Sequence, residues 1–203
     1  MSMPKLIASR RITVLVCGSK HCGKTSLIRR ITEKKFSADY NSSQGVQGAV
    51  TTTTTDDGEK IQIFFREEGA EDYTICSLNT YNYADAYIIV YDISNQASLQ
   101  SIKSNCDMVR KRRQRLSNSI IIVGNKCDRY REIQQADIEA YTNSEDIAHI
   151  ETGARTDTNV NEMLKILLSR KFPCLTEKTD SSNVNTTSIS NVKTTSRGCC
   201  VIT

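Results

Sequence analysis

Short runs of consecutive apolar residues alternate along this chain with stretches whose apolar positions recur every three or four residues. Ile12 to Cys17 is such a run, rich in β-branched residues, and predicts a strand buried on both faces of a parallel sheet. From Lys24 onward Leu27, Ile28 and Ile31 recur at helical spacing, and Phe36 closes the segment. Residues 37–48 are polar and contain glycine, which reads as a loop. Ala49 to Thr55 and Lys60 to Phe65 flank Asp56-Asp57-Gly58, a hairpin signal, because Asp and Gly tolerate the positive φ that tight turns require. Ala86 to Asp92 and Ser119 to Val123 repeat the buried-strand pattern, and Ile147 to Glu151 reads as the last strand. Leu99, Ile102, Cys106 and Val109 line one face of a helix; Val160, Met163, Leu164, Leu167 and Leu168 line another. Six strands, five intervening helices and one hairpin predict an α/β fold with an open, mostly parallel sheet and helices on both faces. Ligands of such sheets bind beyond the carboxyl ends of the strands.

Composition divides the chain. From Leu175 to Gly198, 14 of 24 residues are Ser, Thr or Asn, and the few apolar ones are scattered, so this segment cannot bury enough surface to offset its ordering entropy. The expected organisation is an N-terminal extension at 1–10, a folded domain at 11–172 and a flexible tail at 173–203. A formal charge of +4 is too small for the basic clustering that nucleic acid draws, so no nucleic-acid partner is expected, and a mildly basic face suits an anionic membrane better. No stretch approaches the roughly 18 apolar residues of a membrane span, which predicts a cytosolic protein that meets membranes through an anchor. Its eight cysteines are then expected to be reduced thiols.

Two motifs carry chemistry. Gly18-Ser-Lys-His-Cys-Gly23-Lys24-Thr25 matches G-x-x-x-x-G-K-[ST] and sits between a buried strand and an amphipathic helix. Its glycines let backbone N–H groups and a helix N-terminus face phosphate oxygens, Lys24 brings a cation to the terminal phosphates, and the Thr25 hydroxyl is a ligand for Mg²⁺. This loop alone leaves ATP and GTP open. Asn125-Lys126-Cys127-Asp128, at the end of the strand Ser119–Val123, resembles the N-K-x-D motif of GTP-binding proteins. A carboxylate at Asp128 can accept two hydrogen bonds from the guanine edge, where adenine offers no such pair of donors.

Glu151-Thr152-Gly153-Ala154-Arg155 resembles the E-T-S-A-K segment of the same proteins, and with Tyr87 to Asp92 and Gly124 to Asp128 the resemblance to the Ras and Rab small GTPases covers roughly residues 10–172. It implies GTP/GDP and Mg²⁺ as ligands. The implied nucleotide-binding residues are Gly18, Ser19, Lys20, His21, Cys22, Gly23, Lys24, Thr25, Ser26, Phe36, Ser43, Gly69, Asn125, Lys126, Asp128, Gly153, Ala154 and Arg155. Lys24 and Gly69 fall at the γ-phosphate, Thr25 and Ser43 at the metal, and the Ala154 N–H at the guanine carbonyl. Cys200-Val-Ile-Thr203 looks like a C-a-a-X prenylation box, with Cys199 beside it a candidate for palmitoylation. The implied protein is a monomeric switch on the cytoplasmic face of a membrane, lipid-anchored, with effector and exchange-factor proteins as partners.

The second switch departs from the family. Where Ras and Rab proteins read D-T-A-G-Q-E, counting back from Gly69 aligns Arg66-Glu-Glu-Gly-Ala-Glu71, so Arg66 stands in for the acidic residue near Mg²⁺ and Ala70 for the water-orienting glutamine. Lys20 occupies a phosphate-loop position that is glycine in Ras, where a side chain obstructs an arginine finger. Slow hydrolysis is therefore expected, and a pseudo-GTPase, an interaction module that no longer cycles, is the competing reading. Arg110-Lys-Arg-Arg-Gln-Arg115 reads as a solvated helix end.

Overall fold

The computed structural model describes residues 10–37, 48–55, 58–68, 81–112 and 119–172. In chain order these form β1 (Arg10–Gly18), α1 (Lys24–Glu33), β2 (Gly48–Thr54), β3 (Lys60–Glu67), β4 (Ala86–Asp92), α2 (Gln96–Arg112), β5 (Ile120–Asn125), α3 (Gln135–Ser144), β6 (Ala148–Glu151) and α4 (Val160–Lys171). All six expected strands are present, in the order β2-β3-β1-β4-β5-β6. Only β2 with β3 is antiparallel; the other pairs run parallel. This is the mostly parallel α/β sheet that the alternation predicts. Between β3 and β4, where a fifth helix is expected, residues 68 and 81–85 are described, and 81–83 are helical.

Helix α3 has no counterpart in the apolar pattern. Ile138 and Thr142 are its buried residues, so it lacks the broad hydrophobic stripe by which a helix is recognised. The other helices bury what their periodicity predicts: Ile102, Cys106 and Val109 of α2, and Val160, Met163, Leu167 and Leu168 of α4.

The sheet separates two cores because side chains alternate across each strand. Val14, Val16, Ile63, Phe65, Ile88, Val90, Ile121 and Val123 pack under α1 and α4. Leu15, Cys17, Tyr87, Ile89, Tyr91 and Ile122 pack on the other face under α2 and α3. β4 and β5 are buried along their whole length, which explains their unbroken apolar sequence. At the carboxyl edge the strands end together: Gly18 pairs with Val90, and Asp92 with Asn125. The two motif loops therefore leave the same edge of the sheet, from β1 and β5 on either side of β4.

The basic run at the end of α2 is not simply a solvated face. Arg110 pairs with the Glu145 carboxylate and donates to its backbone carbonyl at 3.3 Å, closing the C-terminus of α3. Residues 113–115 of that run lie outside the described residues.

Candidate nucleotide-binding site

The loop from Gly18 to Thr25 carries the chain from β1 into α1. Gly18 has φ +141°, and a Cβ there would lie 2.1 Å from the Val90 carbonyl oxygen. Gly23 has φ +95°, and its Cβ would meet the Asn125 amide nitrogen at 2.2 Å. Both glycines of the motif are thus demanded by the close approach of β4 and β5 as well as by their conformation. Gly18→Ala is expected to cost about 2 kcal/mol of folding stability through overpacking and positive-φ strain, read as a lowered urea midpoint without a change in slope. No acidic residue occupies the first turn of α1, so the loop leads into a helix end that suits anions.

Lys24 is buried, and its ammonium donates to the carbonyls of Gly18 at 3.1 Å and Ser19 at 3.0 Å, folded over its own loop. Ser19 itself lies 2.8 Å from the Ser101 hydroxyl of α2. Behind Lys24, the Thr25 hydroxyl lies 2.7 and 2.8 Å from the two carboxylate oxygens of Glu67.

That contact corrects the placement of Arg66. Along β3 the side chains of Ile61, Ile63, Phe65 and Glu67 point inward, while Arg66 is exposed on the opposite face. The buried acid beside Thr25 is therefore Glu67, and Arg66 lies on the other face of the strand. Counting back from Gly69 gives Arg66, whereas the inward-facing acid of β3 lies two positions before that glycine in the sequence. Gly69, Ala70 and Ser43 lie outside the described residues, as do Cys199 and Cys200.

The base side is built on Asn125, which is 1% exposed. Its amide nitrogen donates to the Cys22 carbonyl at 3.0 Å, and its oxygen accepts from the Ala154 N–H at 3.2 Å and from the Thr152 hydroxyl at 3.4 Å. One side chain thus joins the phosphate loop to the loop after β6. Lys126, in a left-handed backbone conformation, donates to the His21 carbonyl at 2.6 Å and to Asp92 at 2.5 Å. Burial pushes the Asp92 carboxyl up, but hydrogen bonds from Lys126 and Ser94 outweigh it, so Asp92 titrates below the ordinary carboxylate range. Asp128, Arg155 and Phe36 are exposed. Gly153 and Ala154 are buried, and Ser26 is half-buried in the first turn of α1.

The structure thus brings together the phosphate loop, Asn125, Lys126 and Ala154, with Glu67 and Asp92 as partners that the motifs did not point to. Glu67 was legible in the two-residue period of β3, and Asp92 in its place at the carboxyl end of a buried strand.

The sequence matches the Ras family over residues 13–172. It is 30% identical over 171 residues to the mouse Ras-related protein Rab-22A, covering 82% of this chain and 86% of that protein. It is 28% identical to the fission-yeast GTP-binding protein ypt5, covering 84% and 82% respectively, and 28% identical to the human Ras-related protein Rab-30, covering 85% of each. With a phosphate loop, an Asn-Lys-x-Asp turn and the family's sheet order converging on one edge, the chain belongs to the Ras family, a Rab-like member of the superfamily of small GTPases.

Proposed function

We propose that this protein is a GTP/GDP switch with weak intrinsic hydrolysis, working in signalling or vesicle traffic from a membrane surface. The observation that carries the reading is the Asn125 side chain, which holds the phosphate loop and the Ala154 loop in register, so that one ligand with a polyphosphate and a guanine would span both. Lys24 is placed to exchange the Gly18 and Ser19 carbonyls for phosphate oxygens, and Lys24 and Gly69 are the groups assigned to the γ-phosphate. Gly18 to Ser26, Phe36, Asn125, Lys126, Asp128 and Gly153 to Arg155 complete the nucleotide site. Thr25 and Glu67 offer hard oxygen donors side by side, which suits Mg²⁺, with Thr25 and Ser43 as its proposed ligands. When bound, that ion neutralises charge on the β- and γ-phosphate oxygens. The test is the nucleotide released on denaturing the purified protein: GDP or GTP is expected, and neither would leave the pseudo-GTPase reading in its place.

Ala70 is a main reason for slow turnover, since its methyl group cannot orient a water. Ala70→Gln is expected to raise single-turnover GTP hydrolysis by about tenfold or more, the low end of a positioning effect; an unchanged rate would show that something other than water placement is limiting.

Among the described residues no helix is long and apolar enough to cross a membrane. Membrane attachment is proposed to use a prenyl chain on Cys200 with a second acyl chain on Cys199. Lys178, Lys193 and Arg197 against Glu177 and Asp180 give the tail a net charge of +1, too little to support a single lipid. In cell fractionation Cys200→Ser should be wholly soluble and Cys199→Ser only transiently membrane-bound. Firm retention of the Cys199 variant would remove the two-lipid argument. Effectors and exchange factors are the expected protein partners of a monomeric switch on the cytoplasmic face.

A further inference from the structure

We infer that Arg30 is a positioning residue for the guanine pocket, clamping the loop after β6 to the end of α1 and thereby setting how long the nucleotide stays bound. This rests on the GTP/GDP reading and adds to it a residue outside every motif.

Arg30 sits in the last turn of α1 and is half-buried. Its Nε donates to the Ala154 carbonyl at 2.8 Å and its Nη2 to the Arg155 carbonyl at 3.0 Å, while Nη1 reaches the Lys34 carbonyl at 3.0 Å. One planar guanidinium therefore holds two successive carbonyls of the base loop and the residue that ends its own helix. The rigid fork of five N–H groups makes this possible; an ammonium has no such fixed spread. Lys34 ends α1 in a left-handed conformation, and its ammonium extends to Asn161 in α4 at 3.3 Å. The end of α1, the base loop and the start of α4 are thus tied at one point.

The consequence for ligand binding follows from the opposite side of the loop. Asn125 grips the Ala154 N–H and Arg30 grips the Ala154 carbonyl, so the two peptide groups flanking Ala154 are fixed from two directions. Without Arg30 the loop loses its tether to α1, and Ala154, whose N–H donates to Asn125, is no longer held from its carbonyl side. The phosphate cradle stays intact, because its contacts run through Gly18, Ser19, Lys24 and Asn125. Arg30 also links the guanine pocket to the chain that leaves α1 for the first switch, so displacing that chain would loosen the base.

The test uses the full chain loaded with a fluorescent GDP in saturating Mg²⁺ and chased with unlabelled GDP. Because charge-assisted hydrogen bonds to both Ala154 and Arg155 are lost, Arg30→Ala is expected to release GDP about tenfold faster. Arg30→Lys should fall between it and the wild type, as one restored cation cannot span three carbonyls. Inorganic pyrophosphate should compete for the nucleotide-free Arg30→Ala protein as well as for the wild type, a readout that general destabilisation would move. A wild-type release rate in Arg30→Ala, or equal weakening of GDP and pyrophosphate, would overturn the proposal. A wild-type chain that binds pyrophosphate but not GDP would overturn the guanine reading beneath it.

Discussion

Replacing Glu67 with alanine is expected to weaken Mg²⁺ binding to the GDP-loaded protein by about 10–100-fold, the range for losing a group that orients a metal ligand. The Thr25 hydroxyl, 2.7 and 2.8 Å from the Glu67 oxygens, is the site's described metal-ligand candidate. With its proton directed to a carboxylate, the hydroxyl oxygen keeps its lone pairs for a cation; without that acceptor it can turn to the carbonyls of its own helix turn. GDP release from Glu67→Ala should therefore be fast in millimolar Mg²⁺ and respond little to added chelator, whereas the wild type should accelerate when the ion is removed. Glu67→Gln keeps the volume and one acceptor oxygen, so it should retain part of the Mg²⁺ dependence. Arg66→Ala is the contrasting variant. Its side chain lies on the other face of β3, and its release rate and metal dependence should match the wild type. If Arg66→Ala tightened Mg²⁺ binding while Glu67→Ala left it unchanged, the spacing from Gly69 rather than the strand's alternation would have located the acid.

The contrast between these neighbours shows what sequence can and cannot locate. The strands were legible because their burial is written in composition: Ile120 to Val123 must be apolar if both faces of β5 are covered, and they are. The phosphate loop and the Asn-Lys-x-Asp turn were legible because each puts several constraints within a few residues. Helix α3 was not, since two buried positions leave no stripe to read. Arg66 was placed at the metal for a different reason. Spacing motifs assume a constant number of residues between the acid and the glycine, whereas a strand fixes which face a side chain takes by parity alone. Arg30 carries no motif at all, and two of its three carbonyl partners lie more than 120 positions away. Only the packed fold brings them together, and carbonyl partners leave no complementary side chain in the sequence.

Asp128→Asn should exchange guanine for xanthine selectivity, lowering GDP affinity by about 2–4 kcal/mol, the scale of losing one charge-assisted acceptor and opposing a second donor. The turn that carries Asp128 is fixed independently of its side chain. The Cys127 N–H donates to the Thr152 carbonyl at 3.0 Å and the Arg129 N–H to the Lys126 carbonyl at 2.9 Å, so the substitution changes chemistry without releasing the backbone. Lys126 remains pinned between the His21 carbonyl and Asp92, which keeps the phosphate loop in place. An asparagine can still accept from the purine N1–H, but its NH₂ group then faces the guanine exocyclic amine, donor against donor. Xanthine carries a carbonyl at that carbon, so the same amide gains a partner, and XDP should bind the variant more tightly than GDP does. Competition of GDP, XDP and ADP against a fluorescent nucleotide reads all three affinities on wild type and variant. An inverted GDP-to-XDP preference with ADP weak throughout is the expected pattern. GDP affinity unchanged in Asp128→Asn would mean that this carboxylate does not meet the base, and the choice of GTP over ATP would lose its principal support.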